Sequence, residues 1–139
     1  MPREIKFRGK RIDNGEWVYG YYVKDDEGSG GVRHIIQAPD RYYEVNPETV
    51  GQYTGLEDKS STEIYEGDIV KWGHLGGWYS ENPVRVAIVK INPDIQFDCI
   101  NLHSVFEYGC FAYKDTQNAL EIIGNIHDNP ELVNEHGRA

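Results

Sequence analysis

"EIKFRGKRIDNGEWVYGYYV", residues 4–23, alternates so regularly that it sets the expectation for the whole chain. Ile5 and Phe7 alternate with Lys6 and Arg8, and Trp17, Tyr19, Tyr21 and Val23 alternate with Val18, Gly20 and Tyr22. Successive side chains of a strand point to opposite faces, so a period of two marks two half-buried strands. Between them, Asn14-Gly15 are residue types that tolerate positive φ. The segment therefore predicts a β-hairpin closed by a tight type I′ turn.

The rest of the chain repeats this short-strand rhythm. "KDDEGSGG", 24–31, is polar and glycine-rich and reads as a loop, and "VRHIIQ", 32–37, as a strand. In "EVNPETV", 44–50, Asn46 is placed to cap a single helical turn, with Pro47 at its first position and Glu48 near the positive end of its dipole. "VGQYTGL" and the loop "EDKSST" follow, then strand "EIY", corner "EGD" and strand "IVKW". Residues 74–83 form a Gly- and Pro-marked loop before "VRVAIVKI", 84–91, whose Val84, Val86 and Ile88 alternate with Arg85, Ala87 and Val89. After the Asn92-Pro93-Asp94 turn come "QFDCINL", 96–102, and "VFEYGCFAY", 105–113, where Gly109 marks a bulge. "ALEIIGNI", 119–126, reads as a closing strand by its isoleucines, and Asn129-Pro130 opens a short terminal helical turn.

No helical pattern persists beyond about two turns. The fold class expected is all-β, a barrel or sandwich with one or two short helical turns. A chain of 139 residues fits one domain spanning 1–139, or two subdomains, a hairpin region at 1–53 and a β barrel at 54–139. The Gly67-Asp68 pair followed by Ile69 and Val70 is similar to the first strand of an SH3-like barrel.

Hydrophobic residues make up 39% and charged residues 27%, ordinary for a globular chain, so no disulfide staple is required. Ten tyrosines and three tryptophans against one methionine favour pleated, half-buried surfaces. No apolar run reaches the ~18 residues of a membrane helix, and "MPREIKFRGKRI" has no apolar segment behind its charges, so neither a membrane partner nor a secretory signal is expected. Cys99 and Cys110, eleven apart without CxxC spacing, read as two reduced thiols of a cytosolic protein, with a cross-strand bridge as the alternative.

The net charge of −9 argues against general nucleic-acid binding. The charge is uneven, however. Residues 1–11 hold five basic residues against Glu4, while residues 51–139 hold six basic and fourteen acidic ones. In a self-associating protein that asymmetry steers head-to-tail contacts.

Candidate chemistry is sparse. Glu66 and Asp68 offer two carboxylates for a hard cation or an acid/base pair, but calcium takes roughly six to eight oxygens and no DxD, HxH or HExxH pattern supplies the remainder. A structural turn accounts for every residue there: Gly67 takes positive φ, Asp68 bonds a backbone N–H as an Asx turn, and Ile69 and Val70 enter the core. His34, His74, His103, His127 and His136 show no i, i+2 or i, i+4 pairing, so no metal is expected, and His127 reads as a surface residue beside a helix cap. Cys99 and His103 share a strand face about 13 Å apart, too far for a thiolate pair. There is no GxSxG elbow, and "GSGG" at 28–31 lacks the lysine of a phosphate loop. No catalytic residue, metal or cofactor is expected.

Four segments carry a family resemblance: "REIKFRGK" at 3–10, "WVYGYY" at 17–22, "ETVGQYTGLEDKSSTEIYEGDIV" at 48–70 and "GNIHDNPEL" at 124–132. In order and end to end, they resemble the YopX-type proteins of bacteriophages and prophages. The resemblance implies a mainly β, phage-encoded protein acting in the cytoplasm of a bacterial host, with members that assemble into oligomers. It implies no biochemical activity and carries over no catalytic residue. The chain departs from the family pattern at Ser60-Ser61, where related chains commonly carry Asn-Gly, which leaves the turn between Asp58 and Glu63 open.

The hairpin holds the best binding candidates. Trp17, Tyr19, Tyr21, Tyr22, Tyr42 and Tyr43, with Lys6, Arg8, Lys10 and Arg11 beside them, form either a subunit interface or a stacking platform for single-stranded nucleic acid. The expectation is a non-enzymatic homo-oligomer that binds through Lys6, Arg8, Lys10, Arg11, Trp17, Tyr19 and Tyr21. Its partner is a second copy or another phage or host protein. The alternative is a nucleic-acid-associated accessory factor of phage replication or regulation. An acidic mimic of DNA ranks below both, because the acidic residues of 51–139 are scattered rather than in blocks.

Overall fold

Phe7 to Lys10 form strand β1 and Trp17 to Asp25 form β2, paired antiparallel with Phe7 opposite Gly20, Arg8 opposite Tyr19 and Lys10 opposite Trp17. The structure, a computed structural model, describes residues 5–26, 31–72, 85–91, 95–100, 104–107 and 120–136. It divides into two compact units, residues 1–53 and 54–139. The expected loop at 74–83, the turn at 92–94, Gly109 and Cys110 lie outside the described residues.

The hairpin turn differs from the expected type I′. Only Gly15 takes a positive φ, +75°; Asn14 does not. The Arg11 carbonyl accepts Gly15 N–H and the Arg11 N–H donates to the Glu16 carbonyl, both at 2.9 Å, which closes a four-residue loop. Two local side-chain contacts favour this loop. Asn14 Oδ1 accepts Glu16 N–H, and Asp13 takes a bidentate pair from Arg11 at 2.9 and 2.6 Å.

In the first unit, β3 (Arg33–Gln37) pairs with β2, β4 (Tyr42–Glu44) pairs with β3, and the first residues of β5 (Gly51–Glu57) pair with β1. Strand β2 continues through Lys24 and Asp25, into the segment expected to be loop. An isolated bridge between Arg11 and Val45 draws the end of β4 back toward β1, supported by Asn46 N–H to the Lys10 carbonyl at 2.9 Å. The inner face gathers Phe7, Tyr22, Ile36 and Val45, the last two almost wholly buried. Gly9 and Gly20 make this curl feasible: a Cβ on Gly20 would lie 2.0 Å from the Gln37 carbonyl oxygen. Pro47–Thr49 form a 3-10 turn capped by Asn46, whose Oδ1 accepts Glu48 N–H at 3.0 Å, as the sequence predicts.

In the second unit the last residues of β5 pair with β6 (Glu63–Tyr65), and Thr54 Oγ1 donates to the Ile64 carbonyl at 2.7 Å. A five-stranded antiparallel sheet follows in the order β10-β9-β8-β7-β11: β7 is Asp68–Trp72, β8 Arg85–Ile91, β9 Ile95–Cys99, β10 Ser104–Glu107 and β11 Glu121–Asn125. The fold is all-β with two antiparallel sheets, and no barrel closes among the described residues. Both faces of β8 are covered. Ala87, Val89 and Ile91 join Ile64, Val70, Trp72, Phe97, Cys99 and Leu120 in one core. Val86 and Ile88 join Ile69, Ile100 and Leu132 and Val133 of a two-turn helix, α1 (Pro130–His136). Burying a side chain such as Phe97 contributes roughly 1.5–3 kcal/mol. Cys99 is buried and belongs to that core, as expected.

The outer edge of β11 is occupied by a loop. Lys59 N–H donates to the Leu120 carbonyl at 2.8 Å, and Asp58 Oδ2 accepts Ile122 N–H at 3.0 Å. An unpaired edge is a template for strand addition, and here two residues of a turn supply the missing partners.

Candidate functional site: an exposed tyrosine face

Residues paired directly across an antiparallel ladder share a face. The β1–β2 register therefore places Lys6, Arg8, Lys10, Trp17, Tyr19, Tyr21 and Val23 on one side of the first sheet. The β2–β3 and β3–β4 registers add Ile35, Gln37 and Tyr42 to it, through Tyr21 opposite Gln37, Val23 opposite Ile35 and Gln37 opposite Tyr42.

This side is apolar and open to solvent. Tyr19 is 47% exposed, Tyr21 65%, Val23 40% and Tyr42 67%. Every large hydrophobic residue that stands exposed among the described residues lies between Ile5 and Tyr42, in the first unit. Tyr19 and Tyr21 are two residues apart on one face, so their rings start about 7 Å from each other. Beside them Ile5, Lys6, Tyr19, Tyr21, Gln37 and Pro39 line an open groove of ≈ 500 Å³.

The predicted binding residues do not lie on one exposed surface. Arg8 is only 7% exposed and its guanidinium stacks 4.5 Å from the Trp17 ring centroid. Lys10 Nζ lies over the same ring at 5.6 Å, and Lys6 Nζ lies over Tyr53 at 5.1 Å. Cation–π contacts of this kind occupy the ring faces that a nucleobase would need. Arg11 falls on the opposite side of the ladder. Its guanidinium chelates Asp13 and lies 4.6 Å from the Tyr43 centroid. Tyr43 also receives Arg41 and donates its hydroxyl proton to Asp40 at 2.7 Å. These contacts set local pKa values: hydrogen bonding to Arg11 holds the Asp13 carboxyl below the usual carboxylate range, and the Tyr43 hydroxyl does the same for Asp40.

Tyr22 turns inward, against Phe7 and hydrogen-bonded to His34 Nδ1. Of the aromatic residues the sequence singled out, Tyr19, Tyr21 and Tyr42 are the exposed ones. Pro39 and Gln37, which the sequence reading passed over, complete the groove. The X-Pro step after "VRHIIQ" was the available signal.

The corner at Glu66-Gly67-Asp68 is built as a turn. Gly67 has φ +95°, and Asp68, 2% exposed, accepts the Tyr65 backbone N–H at 2.8 Å. This bond runs three residues back, to the last residue of β6. The Gly67 carbonyl accepts Ile126 N–H at 3.0 Å and Asn125 pairs with Asp68, so "YEGDIV" docks directly on "GNIHDNP". In that partner segment Asn125 Oδ1 accepts the N–H groups of His127 and Asp128, both at 2.9 Å. Among the described residues no group of three or more His, Cys, Asp or Glu is gathered to hold a metal ion, and no helix is long and apolar enough to cross a membrane.

Comparison with known proteins places this geometry in context. The model of the YopX protein family matches residues 6–134, and the chain belongs to that family. The crystal structure of protein EF1440 from Enterococcus faecalis is similar in fold, with a TM-score of 0.52 and 24% identity over 95% of this chain and 99% of that one. No curated protein matches the chain.

Proposed function

We propose that this YopX-family chain is a phage-encoded protein that works by binding in the host cytoplasm, without catalysis, and that it self-associates through the tyrosine face of its first unit. The observation that supports this reading is the continuity of Tyr19, Tyr21, Val23 and Tyr42, all exposed, on one side of the sheet. Contiguous apolar surface of this kind marks an interaction site. Tyrosine is enriched at interfaces because one rigid side chain offers both an apolar ring and a polar tip.

Tyr21→Ser with Tyr42→Ser tests it. Both side chains are solvent-facing, so the fold is retained while the mass measured by light scattering falls toward that of one chain. An unchanged mass would remove the claim. Arg8→Glu is a poor probe, since Arg8 is buried against Trp17 and its loss perturbs the sheet itself.

A second reading is an accessory factor that binds single-stranded nucleic acid, supported by Lys6 and Lys10 standing on the same side as Tyr19 and Tyr21. Retardation of an oligonucleotide that weakens steeply with salt would favour it. Absence of binding at low salt would end it.

A further inference from the structure

The tyrosine groove and the charge division of the chain suggest what the groove takes. Four of the six prolines follow asparagine, at 46–47, 82–83, 92–93 and 129–130, and each pair has a carboxylate within two residues: Glu48, Glu81, Asp94, and Asp128 with Glu131. Two of these segments are described. The one at 46–48 is held against the basic strand β1, its Asn46 N–H bonded to the Lys10 carbonyl. The one at 128–131 opens α1. There Asp128, Pro130 and Glu131 are all exposed, and the segment lies in the part of the chain that carries fourteen acidic and six basic residues. Asn129 Oδ1 and Asn125 Oδ1 brace it through backbone N–H bonds, so the corner is rigid before anything meets it.

We infer that the groove formed by Tyr19, Tyr21, Pro39 and Lys6 receives the Asp128–Glu131 corner of a second copy. This rests on the reading of the tyrosine face as the surface of self-association and names its partner segment. The chemistry matches on each count. Aromatic-lined grooves hold proline rings against their flat faces, at low entropic cost because the ring is already rigid. Lys6 lines the groove, and in this assembly its ammonium, which rests 5.1 Å from the Tyr53 ring centroid, meets the carboxylate of Glu131. The groove volume, ≈ 500 Å³, accommodates a proline and its immediate neighbours. The contact is heterologous: one copy gives its first unit and the next gives its second, so chains add head to tail. The local charges, Lys6 in the groove against Asp128 and Glu131 at the corner, steer this orientation and disfavour groove-to-groove pairing, where Lys6 would face Lys6.

Mixing two variants tests the inference. Tyr21→Ser with Lys6→Glu disables the groove, and Pro130→Ser with Glu131→Lys disables the corner. Each alone is expected to run as a single chain by light scattering. An equimolar mixture is expected to form a two-chain complex and nothing larger, because only one good groove and one good corner remain. Glu131→Lys by itself, at an exposed side chain, should weaken assembly at least tenfold in dissociation constant, and Lys6→Glu in the same chain should restore it. If the corner variant assembles like the unaltered chain while the groove variant does not, the inference is overturned and the tyrosine face pairs with something else, such as its own copy. If the unaltered chain stays monomeric, the reading of self-association fails first. A mixture that yields no two-chain complex likewise overturns the inference.

Discussion

The carboxylate of Asp58 accepts the backbone N–H of Ile122 at 3.0 Å, across 64 residues of sequence. Its other oxygen accepts the N–H groups of Ser60 and Thr62 at 2.9 and 3.0 Å, and the side chain is 4% exposed. One carboxylate thus forms the turn after β5 and pins that turn to the edge of β11.

Asp58→Ala removes three charge-assisted hydrogen bonds and leaves backbone donors unpaired, so it should destabilise by about 3 kcal/mol. Urea denaturation measures the loss, and hydrogen exchange should show the Ile122 amide losing protection. Asp58→Asn keeps one acceptor and should lose about half as much. A change below ~0.5 kcal/mol, the range of an ordinary surface substitution, would contradict the pinning role.

Ser61 has φ +64° and is the only described non-glycine residue with a positive φ. Asp58 N–H bonds the Thr62 carbonyl and Ser61 N–H bonds the Asp58 carbonyl, both at 2.9 Å, which makes 59–61 a three-residue hairpin loop with its left-handed position at Ser61. Ser61→Gly should stabilise the protein by roughly 0.5–1 kcal/mol, read as a higher denaturation midpoint at unchanged slope. Ser61→Val should move it the other way.

Gly20→Ala places a methyl group 2.0 Å from a backbone oxygen, a clash that no rotamer can relieve. The β2–β3 pairing must spread, at a cost of roughly 2–3 kcal/mol. Calorimetry should show a lower melting temperature for the first unit, and a neutral result would contradict the close approach of Gly20 to Gln37.

Glu121 lies 3.2 Å from Lys59 and 3.7 Å from Lys71, and Lys59 above all holds its carboxyl below the usual range. The unfolded chain therefore takes up the proton first as pH falls. The stabilisation is complete above the ordinary glutamate value of about 4.3 and is lost as pH drops through the folded value. The group is only half-buried, so the effect is small and screened by salt. The melting temperatures of the native protein and Glu121→Gln should converge in acid and in high salt. A gap that persists at pH 2 would contradict this assignment.

Strand content was legible because local pattern survives without tertiary context: the alternation of 7–10, 17–25 and 85–91 and the isoleucines of 121–125 mark strands that form. The hairpin turn was not. Asn-Gly signals two positive φ angles, and the loop uses only Gly15, a choice settled by where Arg11 and Asp13 find each other. The basic hairpin was legible as composition but not as surface. Arg8 is buried by Trp17, which the register sets diagonally across the ladder, and no local pattern encodes a register. Asp58 escaped notice because one of its partners lies 64 residues away, although "DKSST" carries the Asp-then-Ser/Thr signature of a side-chain-capped turn.

Strand β7 lies between β8 and β11. During synthesis, its second flank stays bare until the ribosome has released residues beyond 120, while β1 to the start of β5 find all their partners within the first 53 residues. Maturation is therefore staggered, with the first unit formed while β7 still waits. Stalled nascent chains ending near residue 115 should yield a protease-resistant fragment from the first unit alone.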